Sequence, residues 1–398
     1  CLRIMKTTNN LLYIDKEAVT TLAMARDGLL KPVTSLMNQK ETEEVNKTGL
    51  YKGEIFPFPF ILAPSGKRNK EVLESAVKGD VLKLICNNEE VGTITVDEVF
   101  RINKDDRVKQ IYGTNSELHA DANDTAKRLG DLAISGNYEI DFDDIKEHME
   151  QIDEMKINIE AKSISSIVLS GKPFHRVHER IIRSALEKCD MLIILLRKPY
   201  KDDELSYDVR FKTIEFFLDH FVAKDRVLLL PLENTYIFGG VNELTLNAIV
   251  SKNYGADTLL LGQNHTGLGA YWDHKKLLSR VDTLEKIHIN IELFNEFVYC
   301  DKCTTLVSTD TCPHGNHHHV KYDKDTIMEL FRLGIIPPSI LIRKEISSMV
   351  LADLFPERKE RLERIHQNIS TSSGLIDVFK SEDFYDGLMD LYHTSSLT

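Results

Sequence analysis

The 398-residue sequence lacks any long uninterrupted run of apolar side chains. No segment approaches the roughly 18 consecutive apolar residues that a membrane-spanning helix requires, and the first residues lack the apolar region of a secretory signal. A surplus of basic residues is also missing, because the formal net charge is -12. This charge disfavours a general nucleic-acid or anionic-membrane surface, so any anion site must be a local pocket. We therefore expect a cytoplasmic protein that binds neither nucleic acid nor membrane.

Internal repeats and low-complexity tracts are absent as well, and 42% of the residues are hydrophobic. A chain of this length and composition buries sizeable cores, and its length suits two or three domains better than one. The sequence begins at Cys1 rather than at a methionine. We therefore expect a trimmed or incomplete start, with Met5 nearer to the true beginning.

The first third of the chain carries short apolar runs broken by turn formers. The runs that we predict as strands include Phe56–Leu62, Val81–Ile85 and Val91–Val96. Polar residues link the last two runs, which predicts a hairpin. We therefore predict a small β-rich domain over residues 1–155, with a charge-rich helical connector over residues 141–160 at its end.

After residue 155, apolar strands alternate with amphipathic helices. The predicted strands are Ile164–Leu169, Met191–Leu196, Val227–Leu230 and Thr258–Gly262, and the helices between them are Glu179–Cys189, Val209–Phe221 and Asn242–Lys252. This alternation predicts a doubly wound α/β domain with a mostly parallel sheet over residues 156–320. Because such sheets bind ligands beyond the carboxyl ends of their strands, we expect the turns after these strands to share one cleft. Helical periodicity over residues 321–398 predicts a small α-rich domain.

The first of these turns reads Leu169-Ser170-Gly171-Lys172-Pro173-Phe174-His175-Arg176-Val177-His178. Two histidines three residues apart at a helix start project to one side, beside backbone N–H groups and the positive end of the helix dipole, which favours phosphate oxygens. Imidazoles there can neutralise charge that develops on a phosphoryl transition state. The alternative is that one histidine caps or packs the helix.

A later turn reads Gly262-Gln263-Asn264-His265-Thr266-Gly267 and again follows an apolar strand. Its glycines allow a backbone to approach a ligand closely. The alternative for this spacing is an ordinary turn. In combination with the first turn, the segment is a candidate for nucleotide contact.

Three cysteines lie close together and are followed by several histidines. The group is Cys300, Cys303 and Cys312, with His314, His317, His318 and His319 after it. Soft ligands at this spacing predict a tetrahedral zinc site, and three thiolates plus one imidazole leave no open position, so the zinc would be structural. We favour His317 as the fourth ligand, because His317 and His318 give spacings closer to ordinary zinc fingers than His314 does. The alternative is a set of reduced cysteines beside an exposed histidine tract.

These segments resemble the ATP sulfurylase (sulfate adenylyltransferase) family over nearly the whole chain. In that family the first turn reads Gln-Thr-Arg-Asn-Pro-hydrophobic-His-Arg-x-His-Glu, and this chain retains its second half as Pro173–Glu179. Lys252–Gly255 and Gly262–Gly267 resemble the family segments Lys-Asn-Tyr-Gly and Gly-Arg-Asp-His-Ala-Gly, and Tyr112-Gly113-Thr114 with His119 resembles a landmark of the first domain. The resemblance implies an N-terminal domain of PUA-like fold, a Rossmann-like nucleotidyltransferase domain and a small C-terminal domain.

The resemblance also implies a reaction in which a sulfate oxygen attacks the α-phosphorus of ATP, giving adenosine 5'-phosphosulfate and pyrophosphate without a covalent enzyme intermediate. Positioning and charge neutralisation are then the catalysis. It implies ATP as the substrate, together with magnesium, and a homo-oligomer. Carried over position by position, it assigns catalysis to His175, His178 and Lys172, nucleotide binding to Ser170, Gly171, Lys172, Gly262, Gln263, Asn264 and His265, and the sulfate or other acceptor to Leu169, Gly171 and Thr266.

The chain departs from the family where sulfate binds. Leu169 and Gly171 replace the glutamine and arginine of the family turn, and Gln263, Asn264 and Ile237 stand where the family has arginine, aspartate and arginine. The loss of a bidentate guanidinium removes the main countercharge of a dianion site. Lys172 replaces an asparagine and can contact phosphate.

Arg197 and Lys252 are further candidate cations, for which the alternative is a solvated or acid-paired side chain. The leading hypothesis is a sulfate adenylyltransferase. The alternatives are adenylate transfer to another oxyanion or to a phosphorylated small molecule, and a non-catalytic ATP-binding regulatory protein.

Overall fold

The computed structural model of the protein describes residues 10–113, 120–262, 284, 286–369 and 380–393. The chain divides into two compact units. Unit 1 comprises residues 1–161, 233–259 and 279–291, and unit 2 comprises residues 162–232, 260–278 and 292–398. Each unit is described below by itself.

The strands form two large sheets and two small ones. In chain order they are β1 (Leu11–Tyr13), β2 (Leu50–Tyr51), β3 (Glu54–Ile55), β4 (Leu62–Pro64), β5 (Val81–Cys86), β6 (Glu89–Arg101), β7 (Leu129–Ile140), β8 (Ile164–Leu169), β9 (Met191–Pro199), β10 (Val227–Asn234), β11 (Thr258–Gly262), β12 (Asn290–Phe294), β13 (Phe297–Cys300), β14 (Thr305–Ser308) and β15 (His319–Val320). The first sheet has the order β1-β5-β6-β7-β4, and the second has the order β10-β9-β8-β11-β12. In the first, β1 and β5 are parallel and the other neighbours are antiparallel, so the predicted hairpin is present as β5–β6.

The helices that the structure describes are α1 (Lys16–Arg26), α2 (Gln39–Thr48), α3 (Lys67–Ser75), α4 (Lys104–Tyr112), α5 (Ala120–Arg128), α6 (Asp144–Asn158), α7 (Arg176–Leu186), α8 (Tyr207–Phe221), α9 (Glu243–Asn253), α10 (Lys324–Arg332), α11 (Lys344–Leu354), α12 (Lys359–Ile369) and α13 (Ser381–His393). Helix α7 connects the parallel neighbours β8 and β9, which confirms the predicted βαβ unit. Among these helices, none has both the length and the apolar character that spanning a bilayer requires.

One predicted strand is wrong. Residues 56–61 form no strand, and β4 begins only at Leu62. Pro57 and Pro59 alternate with the phenylalanines, and proline cannot donate a ladder hydrogen bond. The apolar character of the run is explained by burial instead, because Phe56, Phe58 and Phe60 are at most 2% exposed.

Residues beyond 320 pack on the core of unit 2, whereas the sequence predicts a separate domain there. Ile327 and Phe331 of α10 and Ile346 of α11 belong to the same buried cluster as Ile167 of β8 and Ile182 of α7. A few short helices bury too little surface to make a core of their own. The division into compact units therefore differs from the predicted one at residue 320, and unit 1 also takes in residues 233–259, which the sequence places in the second domain.

Glu179 ties α7 to the start of α11 inside unit 2. Its side chain is 6% exposed, and its two oxygens accept from Nε and Nη2 of Arg343, both at 2.9 Å. Arg176 adds a third contact, with Nη1 at 3.2 Å from a Glu179 oxygen. Arg343 also lies 3.5 Å from the ring centre of Phe221. A bidentate, largely buried pair of this kind is geometrically specific, and its loss leaves cations without a countercharge.

We expect Glu179→Gln to lower the free energy of unfolding by about 2–3 kcal/mol, because it leaves Arg343 and Arg176 beside a neutral amide without their countercharge. Glu329→Gln is the matched control: Glu329 is 60% exposed and pairs with Arg332 at 2.9 Å, so its loss should cost under about 1 kcal/mol. Urea unfolding followed by circular dichroism measures both. Equal effects of the two changes would contradict a structural role of the Glu179 pair.

Candidate functional site

The candidate site begins where β8 gives way to the turn before α7. Leu169, the last residue of β8, is 5% exposed and belongs to the core of unit 2. Gly171 has φ +63, a left-handed backbone conformation that residues other than glycine adopt with strain. A Cβ at this position would lie 3.4 Å from Leu196 and 3.8 Å from Cβ of Arg210. Neither predicted acceptor residue of the turn therefore offers a polar side chain.

The two predicted histidines are adjacent and buried. His175 is 2% exposed and His178 is 9% exposed, and their rings stack with centres 3.9 Å apart. The backbone N–H of His175, the residue before the helix, donates to Nδ1 of His178 at 3.1 Å. His178 thus closes the helix start from the third helical position, as in a capping box. An imidazole that accepts at Nδ1 carries its proton at Nε2 when it is neutral.

The helix start is also tied to the C-terminal part of unit 2. The backbone N–H of Arg176 donates to the carbonyl of Leu341 at 2.9 Å, and its Nε donates to the carbonyl of Ser339 at 3.0 Å. The ring of Tyr322 lies 5.4 Å from that of His175. The residues that surround the histidine pair thus come partly from beyond residue 320, which sequence spacing did not indicate.

Lys172 is paired with an acid that the sequence did not single out. Its ammonium forms an ion pair with Asp203, and the Lys172 side chain is 38% exposed and that of Asp203 22%. Asp203 follows β9, so the pair joins the turns after two neighbouring parallel strands. This juxtaposition fits the expectation that ligand-binding turns of such a sheet meet at one edge.

Arg210 is the cation that sequence reasoning missed. It lies in α8 and is completely buried, and its Nη1 donates to the carbonyls of Ser170, at 2.7 Å, and Arg197, at 3.1 Å. Burial lowers its pKa, and Asp203 acts in the opposite direction. Arg210 therefore fastens the end of β8 to the end of β9. The signal was its place in the apolar stripe of α8 beside Val209, Thr213 and Phe217.

The remaining predicted contacts fall into two groups. Ser170 supplies its carbonyl to Arg210, and Gly262 ends β11. Gln263, Asn264, His265 and Thr266 lie outside the described residues, as do Thr114 and His119.

Two segments that resemble the family, Lys252–Gly255 and Tyr112-Gly113-Thr114, have contacts within unit 1. Nδ2 of Asn253 donates to the carbonyls of Leu29 and Lys31, at 2.9 and 3.1 Å. Gly239 packs so closely on Tyr112 that an added Cβ would lie 2.3 Å from a ring carbon. A structural role, through hydrogen bonds for Asn253 and through close packing for Tyr112, accounts for both contacts.

Unit 1 contains a cavity of about 270 Å³ whose lining includes Asp15, Arg128 and Tyr236. The Arg128 guanidinium pairs with Asp15, lies 2.9 Å from a carboxylate oxygen of Glu17 and covers the Tyr236 ring at 4.2 Å. Because its charge is already balanced by two acids, this cavity offers little to a phosphate.

The three clustered cysteines meet a histidine in space. The possible ligand atoms of Cys300, Cys303, Cys312 and His314 lie within 4.8 Å of one another, so this group can hold a metal ion. Burial, together with the Cys300 and Cys312 sulfurs, raises the pKa of the Cys303 thiol to about 11. Three thiolates at such spacing therefore need the charge of a cation.

The structure brings His314, and not the predicted His317, to this group. Nδ1 of His314 lies 3.3 Å from the Cys303 sulfur, because the turn after Cys312 points its ring back at the cysteines. His317 instead lies against His318, with ring centres 4.0 Å apart and the rings tilted by 47°. Nε2 of His319 lies 3.4 Å from the Cys312 sulfur.

Comparison with known proteins covers both parts of the chain. The sequence model of the family described as ATP-sulfurylase matches residues 143–353, and that of the PUA-like domain matches residues 3–140. A sulfate adenylyltransferase of Psychrobacter sp. (strain PRwf-1) is 29% identical over 319 residues, which are 75% of this chain and 74% of the relative. One of Halothermothrix orenii is 24% identical over 85% of this chain and 91% of its own, and one of Chloroflexus aurantiacus is 27% identical over 86% and 90%.

Among solved structures, the hexameric APS kinase from Thiobacillus denitrificans superposes with a TM-score of 0.64 at 18% identity. The match covers 88% of this chain and 64% of that chain. At this identity the likeness is one of fold.

We expect His314→Ala to reduce the metal that the purified, untagged protein retains after challenge with a chelator, because it removes one of four ligands. His317→Ala, which removes an imidazole three residues away, should leave the metal content unchanged. Plasma mass spectrometry measures both. Loss of metal only in His317→Ala would reverse the assignment, and a folded wild-type protein without metal would refute the site.

Proposed function

The chain belongs to the ATP-sulfurylase family, whose model matches more than half of it, and on that premise we propose that it transfers the adenylyl group of ATP to sulfate at the β8–α7 turn. The predicted PUA-like domain, nucleotidyltransferase domain and helical C-terminal region are confirmed by the two family matches and the fold. The protein is therefore a nucleotidyltransferase-type enzyme. Sulfate as the acceptor is the proposed step.

The histidine pair at the start of α7 is the observation that carries the proposal. It lies in the matched region, at the carboxyl end of a parallel strand and at the positive end of a helix dipole. With its Nδ1 bound to the backbone of His175, a neutral His178 carries its proton on Nε2, and we assign this group as a donor to a phosphate oxygen. Lys172, partly exposed in the same turn and paired with Asp203, is the proposed source of positive charge.

The nucleotide is expected to enter with magnesium and to contact Ser170 and Gly171 as well as the segment that starts at Gly262. Sulfate would then attack the α-phosphorus while pyrophosphate leaves, so the protein need only position the reactants and balance their charge. Cytoplasmic localisation and a homo-oligomer belong to the same proposal. The first is expected from the composition of the sequence, and the second is implied by the family.

The acceptor side of the turn favours a second candidate, transfer to another oxyanion or to a phosphorylated small molecule. The Leu169 side chain is in the core and Gly171 has none, so neither offers a polar group to sulfate. The two candidates share the ATP half of the reaction and differ only in the acceptor. One exchange assay therefore separates them.

We further propose that the metal of the cysteine group is zinc with a structural role. Three sulfurs and one imidazole nitrogen are a donor set that zinc prefers, and they fill a tetrahedral coordination sphere without leaving a position for water. The group links the loop after β13 with the segment before β15.

Sulfate-dependent exchange of labelled pyrophosphate into ATP should be observed with the wild-type protein. Exchange that depends on another oxyanion, and not on sulfate, would establish the second candidate. ATP binding without exchange in any oxyanion would instead identify a non-catalytic ATP-binding protein and would refute both transfer reactions.

His178→Asn separates catalysis from helix capping. The asparagine retains an acceptor near Nδ1 but lacks the Nε2–H donor, so we expect kcat to fall by about a hundredfold or more with little change in Tm. His220→Asn is the matched control, because His220 is exposed in α8 and Nδ1 contacts only its own helix, 2.8 Å from the Phe216 carbonyl. Normal turnover in His178→Asn would limit His178 to a structural role.

A further inference from the structure

The three nitrogens of the Arg210 guanidinium differ in their hydrogen-bond partners. Nε donates to the carbonyl of Leu205 at 3.2 Å, and Nη1 donates to Ser170 and Arg197. Nη2 is buried and has no hydrogen-bond partner among the described residues. A buried charged donor left in this state is costly unless the site uses it.

The carboxylate of Asp203 faces this nitrogen. Its Oδ2 lies 3.9 Å from Nη2 of Arg210, beyond hydrogen-bond distance, and the same oxygen pairs with the Lys172 ammonium. The carboxylate thus lies between two cations that come from the turn after β8 and from α8. One carboxylate thus faces two cations.

We propose that Lys172 and Arg210 form an oxyanion subsite, and that the Asp203 carboxylate occupies it until a phosphate or sulfate group of a substrate takes its place. The inference rests on the proposed function, because it assigns the charge that would hold the anionic substrate at the same turn. A carboxylate presents two oxygens to a guanidinium much as a phosphate or sulfate does.

Access is consistent with this exchange. The Arg210 side chain is completely buried behind the pair, whereas Lys172 and Asp203 are 38% and 22% exposed. We expect an anion that enters from solvent to meet Lys172 first and to displace Asp203 as it approaches Arg210. The subsite also lies beside Gly171, where the family carries its arginine and where an added Cβ would lie 3.8 Å from Cβ of Arg210.

Asp203→Asn tests the competition. It retains the shape of the side chain and an oxygen that can accept from Lys172, but it removes the internal anion, so oxyanion affinity should rise about tenfold or more. Asp202→Asn makes the same charge change on the neighbouring, exposed residue and should leave affinity near the wild-type value. Calorimetric titrations of the full chain with pyrophosphate, with sulfate and with neutral adenosine supply the readout.

The arms of the titration identify the anion. A gain for pyrophosphate alone assigns the subsite to the ATP phosphates, and a gain for sulfate alone assigns it to the acceptor. A gain that also appears with adenosine, or that Asp202→Asn reproduces, overturns the subsite, as does no gain in any arm.

Lys172→Gln provides a second test that does not depend on how Asp203→Asn folds. Removing this cation should weaken whichever oxyanion the wild-type protein binds, and undiminished affinity would refute the proposal. The exchange assay keeps the two proposals apart. A gain in oxyanion affinity without pyrophosphate exchange would preserve the subsite and refute the transfer reaction, whereas exchange without a gain would do the reverse.

Discussion

The guanidinium of Arg210 holds the ends of two central strands in place. Parallel strands end with carbonyl groups that no longer have ladder partners, and buried carbonyls need donors. Arg210 reaches from α8 and donates to the carbonyls of Ser170 and Arg197, the residues that follow the last β8–β9 pair, Leu169 with Leu196. The turn that carries Lys172 and the histidines therefore starts from a fixed point. A buried cation is expensive in itself, and these carbonyls with the nearby Asp203 make it tolerable.

From that fixed point the turn runs to a second anchor at the start of α7. The left-handed Gly171 turns the chain away from β8, and His178 closes the helix start by accepting from His175. Glu179, one residue further, is held by Arg343. The site is thus supported on one side by α8 and on the other by the segment before α11. This support explains why the residues beyond 320 share the core of unit 2 and do not pack separately.

Sequence patterns predicted the parts of this arrangement that depend on local chemistry. The bounds of β8 and β11 agree with the predicted ones, because both are short apolar runs that end at turn residues. Helix α7 begins three residues earlier than predicted, since its first turn carries Arg176 and His178, which give no apolar periodicity. Ligand spacing in the cysteine group indicated the cysteines but not His314, because the direction of a ring depends on the turn between ligands. The ion pair of Lys172 with Asp203 joins residues 31 positions apart and has no local signature.

The surroundings of Gly171 disfavour the arginine that the family carries at this position. A side chain there would start from a left-handed backbone and meet Leu196, Ile214 and the stem of Arg210. A residue other than glycine would therefore start from a strained backbone, with its Cβ in contact with two apolar side chains and the stem of a buried cation. Gly171, Lys172 and Arg210 form one consistent set in this chain. The proposed positive charge of the site is thus carried by Lys172 in the turn and Arg210 in α8, and a single substitution toward the family pattern would not recreate the family's site.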